Sequence, residues 1–88
     1  MRANVPDEEF IAVGNYLLRP SASLVPATGY WQPVAVVKFA RASGKTRIKS
    51  FPCLSAVFVT GEEAREYAMR YGRMLIAGKH QAIAEMSA

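Results

Sequence analysis

The amino-acid sequence predicts an α+β domain, in which an antiparallel sheet of three or four strands, a meander, packs against one C-terminal amphipathic helix. The first observation is a pair of strand-like segments, 30–40 and 45–51, separated by the turn-like run 41–44. The second is the spacing of apolar residues after Thr60, which changes from two residues to the three or four of a helix.

The chain length predicts a single domain. Eighty-eight residues leave room for only one hydrophobic core. We expect a flexible acidic arm at 1–9, a single α+β domain over 10–78, and a tail over 79–88 that is frayed or forms a short helix.

Each strand is predicted from composition and alternation. Residues 10–19 form the first strand, with a bulge or turn at Gly14 or Asn15. Two prolines, two serines and a Thr-Gly pair predict a loop over 20–29, and 30–40 gives the strongest strand pattern. Alternation divides the apolar residues of that strand into Trp31, Ala35, Val37 and Phe39 on one face and Val34 and Val36 on the other.

The helix is predicted to begin after Thr60. Thr60 and Glu63 have the spacing of a capping box, and acidic residues in the first turn suit the helix dipole. Gly72 costs about 1 kcal/mol relative to alanine within a helix, and Gly78 is a natural terminator. The predicted buried stripe contains Ala64, Tyr67, Ala68, Tyr71 and Leu75.

The charge distribution gives the strongest functional indication. The net charge is +4, yet no acidic residue occurs between Phe10 and Gly61. The hairpin of residues 38–49 carries the candidate residues for binding nucleic acid or another acidic partner: Lys38, Arg41, Lys45, Arg47 and Lys49.

Three interpretations of these cations are open. Alternate residues of a strand are spaced by roughly 6.5–7 Å, close to the phosphate spacing of a nucleic-acid strand, which favours binding to DNA or RNA. Alternatively, the cations are a solvated face that keeps an exposed strand from aggregating. A third possibility is a protein-interaction or homodimer surface formed by Val34, Val36 and Ile48.

Two adjacent aromatic residues precede the basic segment. Tyr30 and Trp31 could provide a stacking platform for bases beside the cations. For Trp31 we favour packing in the core or at its edge, since one residue of such a pair usually faces inward.

Catalysis is not expected. Cys53 has no histidine near it in sequence; Lys49 could help to activate the thiol, but we favour a small buried residue. His80 is the only histidine, so no histidine-based triad or metal site can be assembled. We therefore expect no catalytic residue, metal or cofactor, and no small-molecule substrate is evident. A single cysteine, and the absence of a signal-peptide or membrane-spanning pattern, predict a cytoplasmic protein.

Two resemblances accompany these residues. Trp31, Gly44-Lys45, Arg47, Lys49-Ser50-Phe51 and Thr60 with Glu62-Glu63-Ala64 resemble the amino-terminal arm-binding domain of tyrosine recombinases. That resemblance implies a three-stranded sheet that contacts the major groove of DNA, although the insertion 52–59 departs from the pattern. The whole chain is more similar to small uncharacterised proteobacterial β-β-β-α proteins, which implies a bacterial origin and a fold without an activity.

Overall fold

The computed structural model describes residues 10–40, 44, 46–78 and 80–86 of the chain, and the expected acidic arm at 1–9 lies outside them. It contains a four-stranded antiparallel meander and two helices, which confirms the predicted fold class. The sheet order is β1-β2-β3-β4. The elements are β1 (Ile11–Val13), β2 (Tyr16–Val25), β3 (Tyr30–Ala40), β4 (Thr46–Pro52), α1 (Gly61–Ala77) and α2 (Gln81–Met86).

The first predicted strand is divided by a tight turn. Val13 pairs with Tyr16, so Gly14 and Asn15 form a two-residue hairpin loop. Gly14 has a φ of +61°, which glycine adopts without the steric cost that a Cβ would add. The expected turn at these positions therefore separates β1 from β2.

The predicted loop over 20–29 is wrong for its first half, because β2 continues to Val25. Pro20 pairs with Ala35 in the middle of the ladder. In an antiparallel ladder alternate residues turn their backbone groups to opposite sides, and the nitrogen of Pro20 faces away from β3. The proline therefore breaks no hydrogen bond to β3. On the other side of β2, no described strand pairs beyond Leu18, so no hydrogen bond is lost there either.

The predicted division of β3 into two faces is confirmed by the packing. Ala35 and Val37 are buried beneath α1, together with Leu18 of β2, which pairs with Val37. The residues at the centre of the core are Leu18, Ala35, Val37, Leu75, Ile76 and Ile83.

The predicted start of α1 is also confirmed. The Thr60 hydroxyl accepts a hydrogen bond from the Glu63 amide at 3.1 Å and donates to the Glu63 carboxylate at 3.2 Å. Gly78 ends the helix with its amide donating to the Met74 carbonyl at 2.9 Å. Its φ of −82° shows that a left-handed conformation is not used there.

Gly72 marks the closest approach of α1 to the sheet. A Cβ on Gly72 would lie 2.9 Å from Cδ2 of Leu18 and 3.2 Å from Cβ of Ala35. Both neighbours are fully buried in the packed core, so a methyl group on Gly72 would force the Leu18 side chain to shift. The glycine that weakens the helix locally is therefore what allows the helix to pack.

The C-terminal tail adds a short helix to the domain. Nδ1 of His80 accepts from the Ala82 amide at 3.1 Å, and the His80 carbonyl accepts from the amides of Ile83 and Ala84. Ile83 is only 1% exposed and belongs to the core, and Tyr16 donates to its carbonyl at 3.3 Å. α2 thus lies over the end of the sheet.

We expect Gly72→Ala to lower the free energy of unfolding by about 1–3 kcal/mol, because overpacking outweighs the gain in helix propensity. Urea denaturation followed by circular dichroism measures the change. The exposed Arg73→Ala should shift the midpoint little, and Leu18→Val in the Gly72→Ala background should recover part of the loss. Equal or greater stability of Gly72→Ala would contradict the close packing.

Candidate functional site

β4 is an edge strand within the described part of the chain. It pairs with β3 on one side and ends the strand order of the sheet. Six of its seven residues are exposed, and only Phe51 is half-buried. Its outer side, which we call the β4 edge, is therefore accessible along Thr46–Pro52.

The pairing with β3 determines which backbone groups of β4 face outward. The Cys53 amide donates to the Pro33 carbonyl at 2.9 Å, in register with the ladder. Because hydrogen-bonded and non-hydrogen-bonded pairs alternate, residues 47, 49 and 51 bond to β3. The N–H and C=O groups of Thr46, Ile48 and Ser50 consequently lie along the β4 edge.

The predicted cations lie on different faces of the hairpin. Arg47 pairs with Phe39 and Lys49 with Val37, so both side chains lie on the face that carries the helices. Lys38 pairs with Ile48 and lies on the opposite face. Arg41 and Lys45 lie outside the described residues. The structure thus brings Arg47 and Lys49 together and places Lys38 apart from them.

The sheet face opposite α1, which we call the open face, has its own charged cluster. The Arg19 guanidinium carbon lies 5.4 Å from the ring centroid of Phe10, and Lys38 Nζ lies 5.0 Å from the same centroid. These distances are typical of cation–π contacts. The sequence does not predict this cluster, because only the strand register reveals that Phe10 and Arg19 are neighbours of Lys38.

Apolar residues also lie on the open face. Val34, Val36 and Ile48 share it, as the predicted alternation requires. Val36 is only 5% exposed, whereas Ile48 is 60% exposed at the edge. No described helix covers these residues.

A groove of about 440 Å³ separates β4 from α2. Nη1 of Arg47 donates to the Glu85 carbonyl at 3.1 Å across it, and Phe51 makes an edge contact with the His80 ring at a centroid distance of 6.1 Å. The groove is lined by Thr46, Arg47, Ile48, Lys49, Ala82 and Glu85. The sequence signal for this wall is weak, because the only large apolar residues in the tail 79–88 are Ile83 and Met86.

A larger groove, of about 800 Å³, lies at the opposite edge of the sheet. Arg19, Arg65 and Arg70 line it, but Glu66 lines it as well and lowers its net charge. Its cations come from two distant segments, so no local motif in the sequence predicts it.

Tyr30 and Trp31 cannot act as one stacking platform, because neighbours on a strand face opposite sides. Trp31 lies under the start of α1, where its ring would be 3.3 Å from a Cβ on Gly61, and its backbone bonds reciprocally with Phe58 at 2.7 and 2.8 Å. Tyr30 is 45% exposed on the other face.

The remaining candidates for chemistry are Cys53 and Tyr71. Cys53 is buried, with its Sγ 3.6 Å from the Ser55 hydroxyl. Burial, reinforced by Cys53 and Tyr67, raises the pKa of the Tyr71 hydroxyl above its usual value. The described residues contain no cluster of three or more histidine, cysteine or carboxylate side chains suited to a metal, and none of their helices is long and apolar enough to cross a membrane.

Comparisons with known proteins found no matching family model, curated protein or solved structure. Any functional inference for this chain therefore rests on its own geometry and charge.

The two aromatic neighbours should differ sharply in their effect on stability. Trp31→Ala should lower the free energy of unfolding by about 2–4 kcal/mol, somewhat less than for a fully buried tryptophan. Tyr30→Ala, the matched control, should change it by about 0.5 kcal/mol. Thermal denaturation of both variants measures the difference, and equal losses would show that Trp31 does not anchor α1.

Proposed function

We propose that this protein is a non-enzymatic binding module for an acidic macromolecule, which it contacts through the basic β3–β4 hairpin. The observation that supports the proposal is the β4 edge, an exposed strand flanked by Arg47 and Lys49 in a sheet that contains no acidic residue. An approaching partner meets cations on both faces of this hairpin, since Lys38 lies on the open face.

The positions of the acidic residues leave the β3–β4 hairpin the more positive side of the described structure. All four acids among the described residues lie on helices: Glu62, Glu63, Glu66 and Glu85. Three of them are in the first two turns of α1, and Glu62 and Glu63 lie in its first turn, where they suit the helix dipole. Of these four, only Glu85 lines the groove beside β4, where Arg47 binds its backbone carbonyl and not its carboxylate. The hairpin side of the molecule therefore attracts negative charge.

Nucleic acid is one partner of this kind. A backbone running along β4 would meet Arg47 and Lys49, whose Cα atoms are roughly 6.5–7 Å apart as alternate strand residues. The exposed hydroxyls of Thr46 and Ser50 could donate to neighbouring phosphates from the other face. Such contacts carry no base information, so binding would be weak, salt-dependent and indifferent to sequence.

Replacing Arg47 and Lys49 together with glutamine should flatten the log–log salt dependence of duplex DNA binding by about 1.8 units, since each lost phosphate contact removes about 0.9. The double variant loses the bond from Arg47 to the Glu85 carbonyl, but both side chains are exposed and lie outside the core, so the fold should persist. Fluorescence anisotropy at several salt concentrations measures the slope.

The matched control removes the same charge from α1. Arg70→Gln with Arg73→Gln lowers the net charge by two on exposed helix positions away from β4. This control should change the slope much less. Identical slopes for the two double variants would mean that net charge alone governs binding, and no binding of the wild type to DNA, RNA or polyglutamate at low salt would refute the proposal.

Self-association through the open face is a second candidate. Val34, Val36 and Ile48 form an apolar strip there, and Ile48 is substantially exposed. Arg19 and Lys38 lie on the same face, so two copies would bring like charges together. Self-association should therefore strengthen as salt screens the cations, the opposite of polyanion binding.

Sedimentation velocity at low and high salt separates the two candidates. A dimer that forms more readily at high salt and is lost in Ile48→Asp would support self-association. Ile48 is exposed in the monomer, so the substitution should leave the monomer folded. A monomer at every salt concentration would remove the second candidate.

A further inference from the structure

We propose that the β4–α2 groove binds an extended acidic peptide, which adds to the β4 edge as a fifth strand. This inference rests on the proposed binding of an acidic partner and specifies its class. Three features carry it: the outward backbone groups of β4, the cations that flank them, and the helix wall provided by α2.

The backbone of β4 favours a peptide over other polyanions. Thr46, Ile48 and Ser50 present alternating N–H donors and C=O acceptors along the outer edge. A polypeptide strand offers the same alternation and can satisfy both kinds of group. A phosphate backbone offers acceptors for the donors but no donors for the carbonyls, and in RNA the sugar-phosphate backbone can donate only through the 2′-hydroxyls. The edge is therefore more complementary to a polypeptide than to DNA or RNA.

A second copy of β4 is a poor occupant of the same edge. The outward residues must pair with each other, so an antiparallel copy can pair Ile48 with Ile48, Thr46 with Ile48, or Ile48 with Ser50. These registers place Arg47 opposite Lys49, Arg47 opposite Arg47, and Lys49 opposite Lys49, respectively. Like charges directly opposite one another destabilise a strand pair, so the edge disfavours self-pairing.

The side chains define the partner's pattern. On the helix side, acidic residues at alternate positions would lie beside Arg47 and Lys49. Between them, an apolar residue would lie beside the exposed Ile48 on the open face. Glu85 also lines the groove and opposes an acid at the α2 end. The expected motif is thus acidic-apolar-acidic in an extended segment.

Synthetic peptides test the pattern without altering the protein. The probe is an N-acetylated and C-amidated peptide, SEVEVES, and its isomer SEEEVVS has the same composition and charge without the alternation. A third peptide carries N-methyl groups at alternate backbone nitrogens, which removes the donors of one edge while retaining the carboxylates. Two such peptides, methylated in complementary positions, cover both edges of the probe strand.

A single substitution in the protein tests whether the outward N–H groups of β4 bind the peptide backbone. Ile48→Pro removes an outward N–H but no hydrogen bond to β3, and proline is tolerated at edge positions of this kind. Arg47 and Lys49 remain, so DNA binding should be nearly unchanged. Ser50→Pro removes a second outward N–H and serves if Ile48→Pro fails to fold, which circular dichroism reveals.

Amide hydrogen exchange and isothermal titration provide the readouts. Strand addition predicts that SEVEVES slows exchange of the amides of Thr46, Ile48 and Ser50, and that Ile48→Pro weakens peptide binding about two- to tenfold, as expected for the loss of one backbone hydrogen bond. Removing Arg47 or Lys49 should weaken it by up to about fivefold each, since exposed charge pairs are weak.

The outcomes separate the two proposals. Equal binding of SEVEVES, its isomer and both methylated peptides, with no effect of Ile48→Pro, would overturn strand addition and leave a general polyanion site. Binding of DNA with no binding of any peptide would also overturn it and favour nucleic acid. Failure of every polyanion, DNA included, would overturn the proposed function itself.

Discussion

The close contact of Gly72 with Leu18 and Ala35 is the constraint on which the arrangement of the domain depends. It lets α1 lie directly on β2 and β3, so the buried surface of the sheet is concentrated on the two central strands. The strands at the margins, β1 and β4, receive less cover. The exposure of β4, and with it the candidate interface, follows from where the helix can approach most closely.

Local sequence patterns predict most of the fold and less of the site. Alternation along β3 and the capping residues Thr60 and Glu63 are local signals, and both the strand and the helix start are found as predicted. Pro20 contributes to the wrong prediction of a loop over 20–29. Whether a proline interrupts a strand depends on which side of the strand its nitrogen faces, and this is a property of the sheet and not of the sequence. Strand register likewise places Lys38 on the other face from Arg47 and Lys49, which a list of basic residues cannot reveal.

The tail shows why a site can need residues that carry no motif. α2 has one turn and a half, too short to be stable alone, and it forms because Ile83 enters the core and His80 caps its first turn. Through the contact of Arg47 with the Glu85 carbonyl, this helix converts an edge strand into one side of a groove. Positive charge, open backbone and a confining wall therefore come from segments far apart in sequence.

Proline interrupts both margins of the sheet. Pro20 lies on the β2 margin beyond Leu18, and Pro52 lies at the end of the β4 margin, where alternation turns its nitrogen outward like those of Thr46, Ile48 and Ser50. Neither proline can donate a hydrogen bond to an added strand, so each shortens the run of outward donors on its margin. Both margins of the described sheet are therefore limited templates for growth by repeated strand addition, as in a fibril.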